Sequence, residues 1–160
     1  MLPNPTHEEI LYVVQNLRAA SHDEIFGATA ATESEFAAGL SATKGFKWVG
    51  YHDGKPAAVI GAHPLHGGVW ALFGFGTDDW ARIWRPVTRV ARKDMMQAVS
   101  DAGAHRAHCV TLTSHVDTHR WLRALGATLE TPMPGYGTYG QDYTMFAWLK
   151  GGDDVRKPKH

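Results

Sequence analysis

Apolar residues change their spacing along this chain, and each change marks an element. Ile10, Val13, Val14 and Leu17 recur at helical spacing. Thr6 precedes them with Glu9 three residues on, a capping-box pattern, so a helix opens there. The same pattern at Ser21/Glu24 and Thr32/Glu35 predicts short helices over about 22–28 and 33–42. The period then shortens. Residues 46–51 are aromatic and β-branched and run into Asp53-Gly54, a strong hairpin signal. Residues 57–63 return, 64–68 turn again, and 69–75 make a third strand. A long helix follows over about 83–102, with Trp84, Val87, Ala91, Met95, Ala98 and Val99 on one stripe and Gly103 at its end. Residues 107–113 read as a strand. Ser114/Asp117 leads a helix over 117–125, and 127–130 and 143–149 read as strands. The stretch 131–141, rich in Gly, Pro and Tyr, joins the last two.

This order predicts an α+β (mixed α/β) fold: a mainly antiparallel sheet with a central parallel pair, flanked by helices. With 160 residues the chain makes a single domain, 6–150, between an N-terminal tail (1–5) and a flexible C-terminal tail (151–160). Apolar residues at 44% and charged residues at 20% describe an ordinary globular protein and exclude a disordered one. The uncharged stretch 56–77 is long enough to span a membrane, but Pro56, Pro64 and its glycines make a hairpin the better reading. No membrane partner is expected, and the first six residues lack the features of a signal peptide. Cys109 is the single cysteine. It excludes an intrachain disulfide and a Cys-based zinc site, and its strand position implies a buried, inert thiol.

Charge adds one asymmetry. Lys plus Arg equals Asp plus Glu, at 16 each, so bulk attraction to nucleic acid is not expected. However, residues 1–81 carry four basic and nine acidic side chains, and residues 82–123 carry eight and three. The basic block begins with Arg82, Arg85 and Arg89. These form either an anion cradle at the helix start or a solvated helix face. Asp78 is a candidate general base; beside Asp79 and those arginines, helix capping and ion pairing are the competing roles. His115 and His119 lie one helical turn apart without a third ligand, so no metal is expected. His115 is instead a candidate acid/base group. Trp48, Trp70 and Trp148 lie on strands among apolar neighbours and belong to the core.

The element order resembles that of the GNAT acetyltransferase superfamily. There a hairpin meander feeds a long helix, a strand, a shorter helix ending in a Gly-small pair (here Gly126-Ala127), and a final hairpin. Leu17-Arg18, Ser21, Asp23-Glu24-Ile25, Ile60-Gly61, Val69-Trp70, Leu72 and the stretch 114–127 are similar to small phage-encoded GNAT-like proteins, including the internal virion protein A of short-tailed phages. The resemblance implies acetyl-CoA (or CoA) as cofactor, no metal, and acetyl transfer to an amine of a small molecule or protein. It assigns the pantetheine to the ends of the parallel strands, Phe75 and Thr113 among them. It assigns the pyrophosphate to Arg82, Arg85, Val87, Thr88 and Arg89 and the acceptor side to Tyr136 and Tyr139, and it favours His115 as the acid/base group. Three positions depart from the family pattern. Where a Q/R-x-x-G-x-G/A turn belongs stands Ile83-Trp84-Arg85-Pro86-Val87-Thr88, with Pro86 on the first glycine. His115 stands for the usual Asn and Leu122 for the usual Tyr. These departures support a second expectation: an inactive GNAT-fold module that binds a host bacterial protein or serves as a minor virion or assembly protein. Either role implies the host bacterial cytoplasm or the virion.

Overall fold

The structure, a computed structural model, describes residues 1–150; the expected C-terminal tail, 151–160, lies outside the described residues. Three helices come first: α1 (His7–Gln15), α2 (Ala19–Phe26) and α3 (Glu33–Ala42). α1 and α3 start as their patterns predict. The Thr6 and Thr32 hydroxyls accept the amides of Glu9 and Glu35, whose carboxylates accept the cap amides in return. The Ser21/Glu24 pattern, by contrast, caps nothing. The chain ahead of it is tied to the sheet, with Leu17 bridged to Thr77 and Arg18 N–H donating to Gly76 C=O at 3.0 Å. The helix therefore begins at Ala19, and Ser21 falls inside it.

The sheet contains β1 (Leu2–Pro3), β2 (Phe46–His52), β3 (Lys55–His66), β4 (Val69–Gly76), β5 (Arg106–Leu112), β6 (Thr128–Met133) and β7 (Tyr143–Leu149). Their order is β1-β2-β3-β4-β5-β7-β6, and only β4 and β5 run parallel. Asp53 and Gly54 both take positive φ, 46° and 74°, as a tight two-residue hairpin turn requires. The first five residues are not simply a tail: Leu2 pairs with Val49 and Pro3 with Trp48 at the sheet edge. Pro3 is tolerated there because an edge strand can spare an N–H. β6 also runs further than expected, to Met133, so the connecting loop spans 134–142.

Strand alternation divides the core between the two faces. Ala58, Ile60 and Ala62 of β3 pack toward the long helix, while Val59 and Phe75 pack with Ile10, Val13 and Val14 of α1. The long helix is composite: α4 (Trp80–Val90), a π-helical turn (Ala91–Met95) and α5 (Met96–Asp101). Val87, Ala91, Met95 and Val99 recur every four residues, and all are buried. In a regular α-helix that spacing drifts by about 40° per step. A π-turn holds more residues per turn and takes up the drift. Two expectations are corrected here. The helix opens at Trp80 rather than Ile83, which leaves Pro86 inside it. Trp84 is off the buried stripe and 47% exposed, its place taken by Ile83 and Val90.

Candidate functional site

β4 and β5 pair only from Val69 against Arg106 to Ala71 against His108. Beyond that point β4 stays with β3 up to Gly76, and β5 stays with β7 up to Leu112. The parallel strands therefore part, and their facing N–H and C=O groups lose each other as partners. α2 lies across the gap and bonds to both sides. On the β4 side, Ser21 Oγ accepts from Gly76 N–H at 3.3 Å and from Arg18 Nε at 3.1 Å. On the β5 side, Glu24 Oε1 accepts from the Thr111 hydroxyl and from Leu112 N–H, the latter at 2.9 Å. Tyr143 of β7 donates its hydroxyl to the Glu24 carbonyl at 2.8 Å.

A cavity of about 1130 Å³ occupies the gap. Phe73, Gly74 and Phe75 line it from β4, Cys109, Val110 and Thr111 from β5, and Trp80, Trp84 and Trp121 from the helices. A smaller cleft of about 720 Å³ lies beyond the end of β5, between α2 and the 134–142 loop. Glu24 faces the cavity and His115 faces the cleft, with His115 Nδ1 3.6 Å from Glu24 Oε1. The adjacent carboxylate raises the His115 pKa, against desolvation that lowers it. Burial pushes the Tyr143 hydroxyl up to about 12, with Glu24 adding to the effect, so it remains a donor. Burial likewise pushes the Cys109 thiol to about 12, which leaves it unreactive at neutral pH.

The sequence-derived candidates divide among three places. Phe75 lines the cavity but is packed into the core at 2% exposure. Tyr136 also lines the cavity, its ring edge-on to Tyr143 at 5.3 Å. Thr113, His115 and Tyr139 line the cleft instead. The third group is on or beside α4. Arg82, Arg85 and Arg89 are exposed; Arg82 Nε lies 3.4 Å from Asp79, and Arg85 rides on the Trp84 ring at 5.4 Å. Val87 is fully buried, and the Thr88 hydroxyl is committed to Trp84 C=O (2.7 Å) and Trp121 Nε1 (2.8 Å). Asp78 is exposed just before the helix. His119 turns away from His115, its Nε2 3.1 Å from Leu112 C=O and its ring against Phe146. Among the described residues no three of His, Cys, Asp and Glu converge as metal ligands.

Sequence reasoning missed Glu24, Thr111 and Arg18 as site residues. Arg18 is half-buried, lines the cavity, and lies 4.7 Å over the ring of Trp80, the first residue of α4. Desolvation lowers its pKa, and the Glu24 and Asp78 charges oppose that. Glu24 does appear in a recognisable pattern, but its spacing from Ser21 points to the wrong partner.

No family model and no curated protein sequence matches the chain. Solved structures do match. The ribosomal-protein-alanine N-acetyltransferase from Brucella melitensis superposes with a TM-score of 0.74 at 10% identity, over 94% of this chain and 100% of that one. For yncA from Salmonella typhimurium, solved with its cofactor acetyl-CoA, the TM-score is 0.71 at 12% identity, over 97% and 95%. The ribosomal-protein-S18-alanine N-acetyltransferase from Escherichia coli gives 0.67 at 16% identity, over 94% and 93%. The chain has the GNAT fold. At these identities the likeness establishes the architecture, and a ligand must be argued from the site.

Acetyl-CoA is the cofactor of the neighbour yncA, and this chain's site suits the two halves of such a molecule differently. The parted strands offer an apolar slot suited to a pantetheine arm, with Gly76 and Leu112 at its end already bonded to α2 and its lead-in. At the start of α4 most backbone N–H groups are already taken. Trp80 N–H donates to Thr77 C=O, Arg82 N–H to Asp79 C=O and Asp79 N–H to Thr77 Oγ1. A diphosphate there depends on guanidinium groups instead.

Proposed function

We propose that this chain is an acyl-CoA-dependent N-acyltransferase of the GNAT fold, acting on an amine of a small molecule or protein. One observation carries the reading: the parallel strands separate after Ala71 and His108, and a cavity of about 1130 Å³ fills the separation. A thioester threaded there supplies an activated acyl carbon. The chain's own residues bind and orient. β4 between Ala71 and Gly76 offers backbone groups that β5 does not take, and Arg18 with Arg82, Arg85 and Arg89 supplies positive charge for phosphates. Glu24 and His115 hold negative charge and a titratable proton on the acceptor side.

A second reading keeps the fold without transfer, as a module that binds a host protein or joins a virion. The filled N–H groups at the start of α4 favour it. The phage setting, in either reading, rests on the sequence likeness described above.

Calorimetric titration with acetyl-CoA and CoA separates the two. The transferase reading expects micromolar binding, weakened by at least about tenfold in an Arg18→Ala/Arg85→Ala/Arg89→Ala variant that loses several charge-assisted bonds. No heat and no thermal shift at millimolar acetyl-CoA leaves only the module, and capture of one specific partner from bacterial lysate then supports it.

A further inference from the structure

Glu24 has two carboxylate oxygens in unequal surroundings. Oε1 takes the Thr111 and Leu112 donors and lies closest to His115. Oε2 accepts from no group among the described residues. It is also not sealed in the core, since no buried side-chain N or O among the described residues lacks a partner. Arg18 lines the same cavity but makes no ion pair with Glu24; its Nε goes to Ser21 and its guanidinium lies over Trp80.

The surrounding wall is apolar. Ile25, Phe36, Phe73, Val110 and the rings of Tyr136 and Tyr143 share the cavity with Glu24. One open carboxylate oxygen among such walls lacks a donor, and a bulky apolar ligand without a cation would leave it so. An alkylammonium supplies that donor, aromatic faces attract the same cation, and the walls take the rest of the ligand. A charge-assisted bond in a partly desolvated site is also stronger than one in water.

We propose that this cavity is a site for a primary amine carried on an apolar or aromatic body, with its ammonium donating to Glu24 Oε2. The site is the acceptor half of the transferase reading and rests on that reading for its role, but amine binding alone tests it. The probes are 2-phenylethylamine and its neutral counterpart 2-phenylethanol, titrated calorimetrically into the full chain beside acetyl-CoA. The amine is expected to bind at least about tenfold more tightly than the alcohol. Glu24→Gln, which retains an oxygen for Thr111 and Leu112, is expected to erase that difference in a chain that still unfolds cooperatively. Equal affinity for the two probes in the unmodified chain, or no amine binding at millimolar concentration, overturns the proposal without any variant. An amine preference that survives in folded Glu24→Gln overturns it too. An amine preference that depends on Glu24, in a chain that does not bind acetyl-CoA, upholds the site and removes the transferase reading.

Discussion

The two ends of the β4–β5 pair are built differently. At the closed end the strands are in register, and Trp70 and Ala107 join the main core, Trp70 stacked on Phe46 at 5.4 Å. At the open end the strands are held apart by a helix that meets them through polar groups: Ser21 to Gly76, Glu24 to Thr111 and Leu112. Apolar burial is non-directional and draws surfaces together. A hydrogen bond fixes a distance and an angle, so a polar wedge can hold a gap at one width. In one strand pair, then, stability collects where the strands meet and binding capacity where they separate.

This contrast predicts unequal responses to mutation. Trp70→Ala at the closed end is expected to cost about 3–5 kcal/mol, read from urea unfolding at constant m-value. A loss near zero would mean that the closed end is not the stability centre. Glu24→Ala at the open end is expected to cost less, about 1–3 kcal/mol, because it strands the Thr111 and Leu112 donors near a cavity that water can reach. An equal or larger loss than for Trp70 would erase the contrast.

His115 sharpens it further. Its pKa is raised in the fold, chiefly by Glu24. The stabilisation is therefore fully present below the ordinary imidazole value of 6.5 and is lost as pH rises through the raised value. The stability gap between the unmodified chain and His115→Gln should be wider at pH 5.5 than at pH 9, roughly the span over which a raised imidazole loses its proton. A gap that widens with pH would contradict the Glu24–His115 contact. The smallest effect belongs to Trp84→Ala, expected within about 0.5 kcal/mol because that ring is half exposed. A core-sized loss there would restore Trp84 to the buried stripe that its sequence spacing suggested.

Local chemistry was legible in the sequence and long-range chemistry was not. The capping boxes at Thr6 and Thr32 and the turn at Asp53-Gly54 need only residues within a few positions of each other, and both formed. The element order then led to the fold class. Glu24 was misread for the opposite reason. Its local partner, Ser21, made a plausible cap, while its actual partner Thr111 is 87 residues away and Tyr143 is 119. Nothing in the spacing of β4 or β5 announces that they part after Ala71, because that depends on what α2 inserts between them. Trp84 failed more simply. A stripe drawn at uniform α-helical pitch cannot foresee a π-turn seven residues on.

That π-turn has a consequence for how this helix tolerates change. A turn of this kind holds one residue more than an α-helical turn, so it behaves as an insertion absorbed without breaking the rod. Removing one residue from 91–95 would restore uniform pitch and leave Val87 and Met95 seven positions apart, about 20° short of two full turns. With Met95 and Val99 kept in the core, Val87 would stay there too, and Arg82, Arg85 and Arg89 would nearly keep their bearing relative to the cavity mouth. The helix thus keeps its phase when the extra residue at 91–95 is lost, and a deletion there should disturb the arginines far less than one inside a regular α-helical segment.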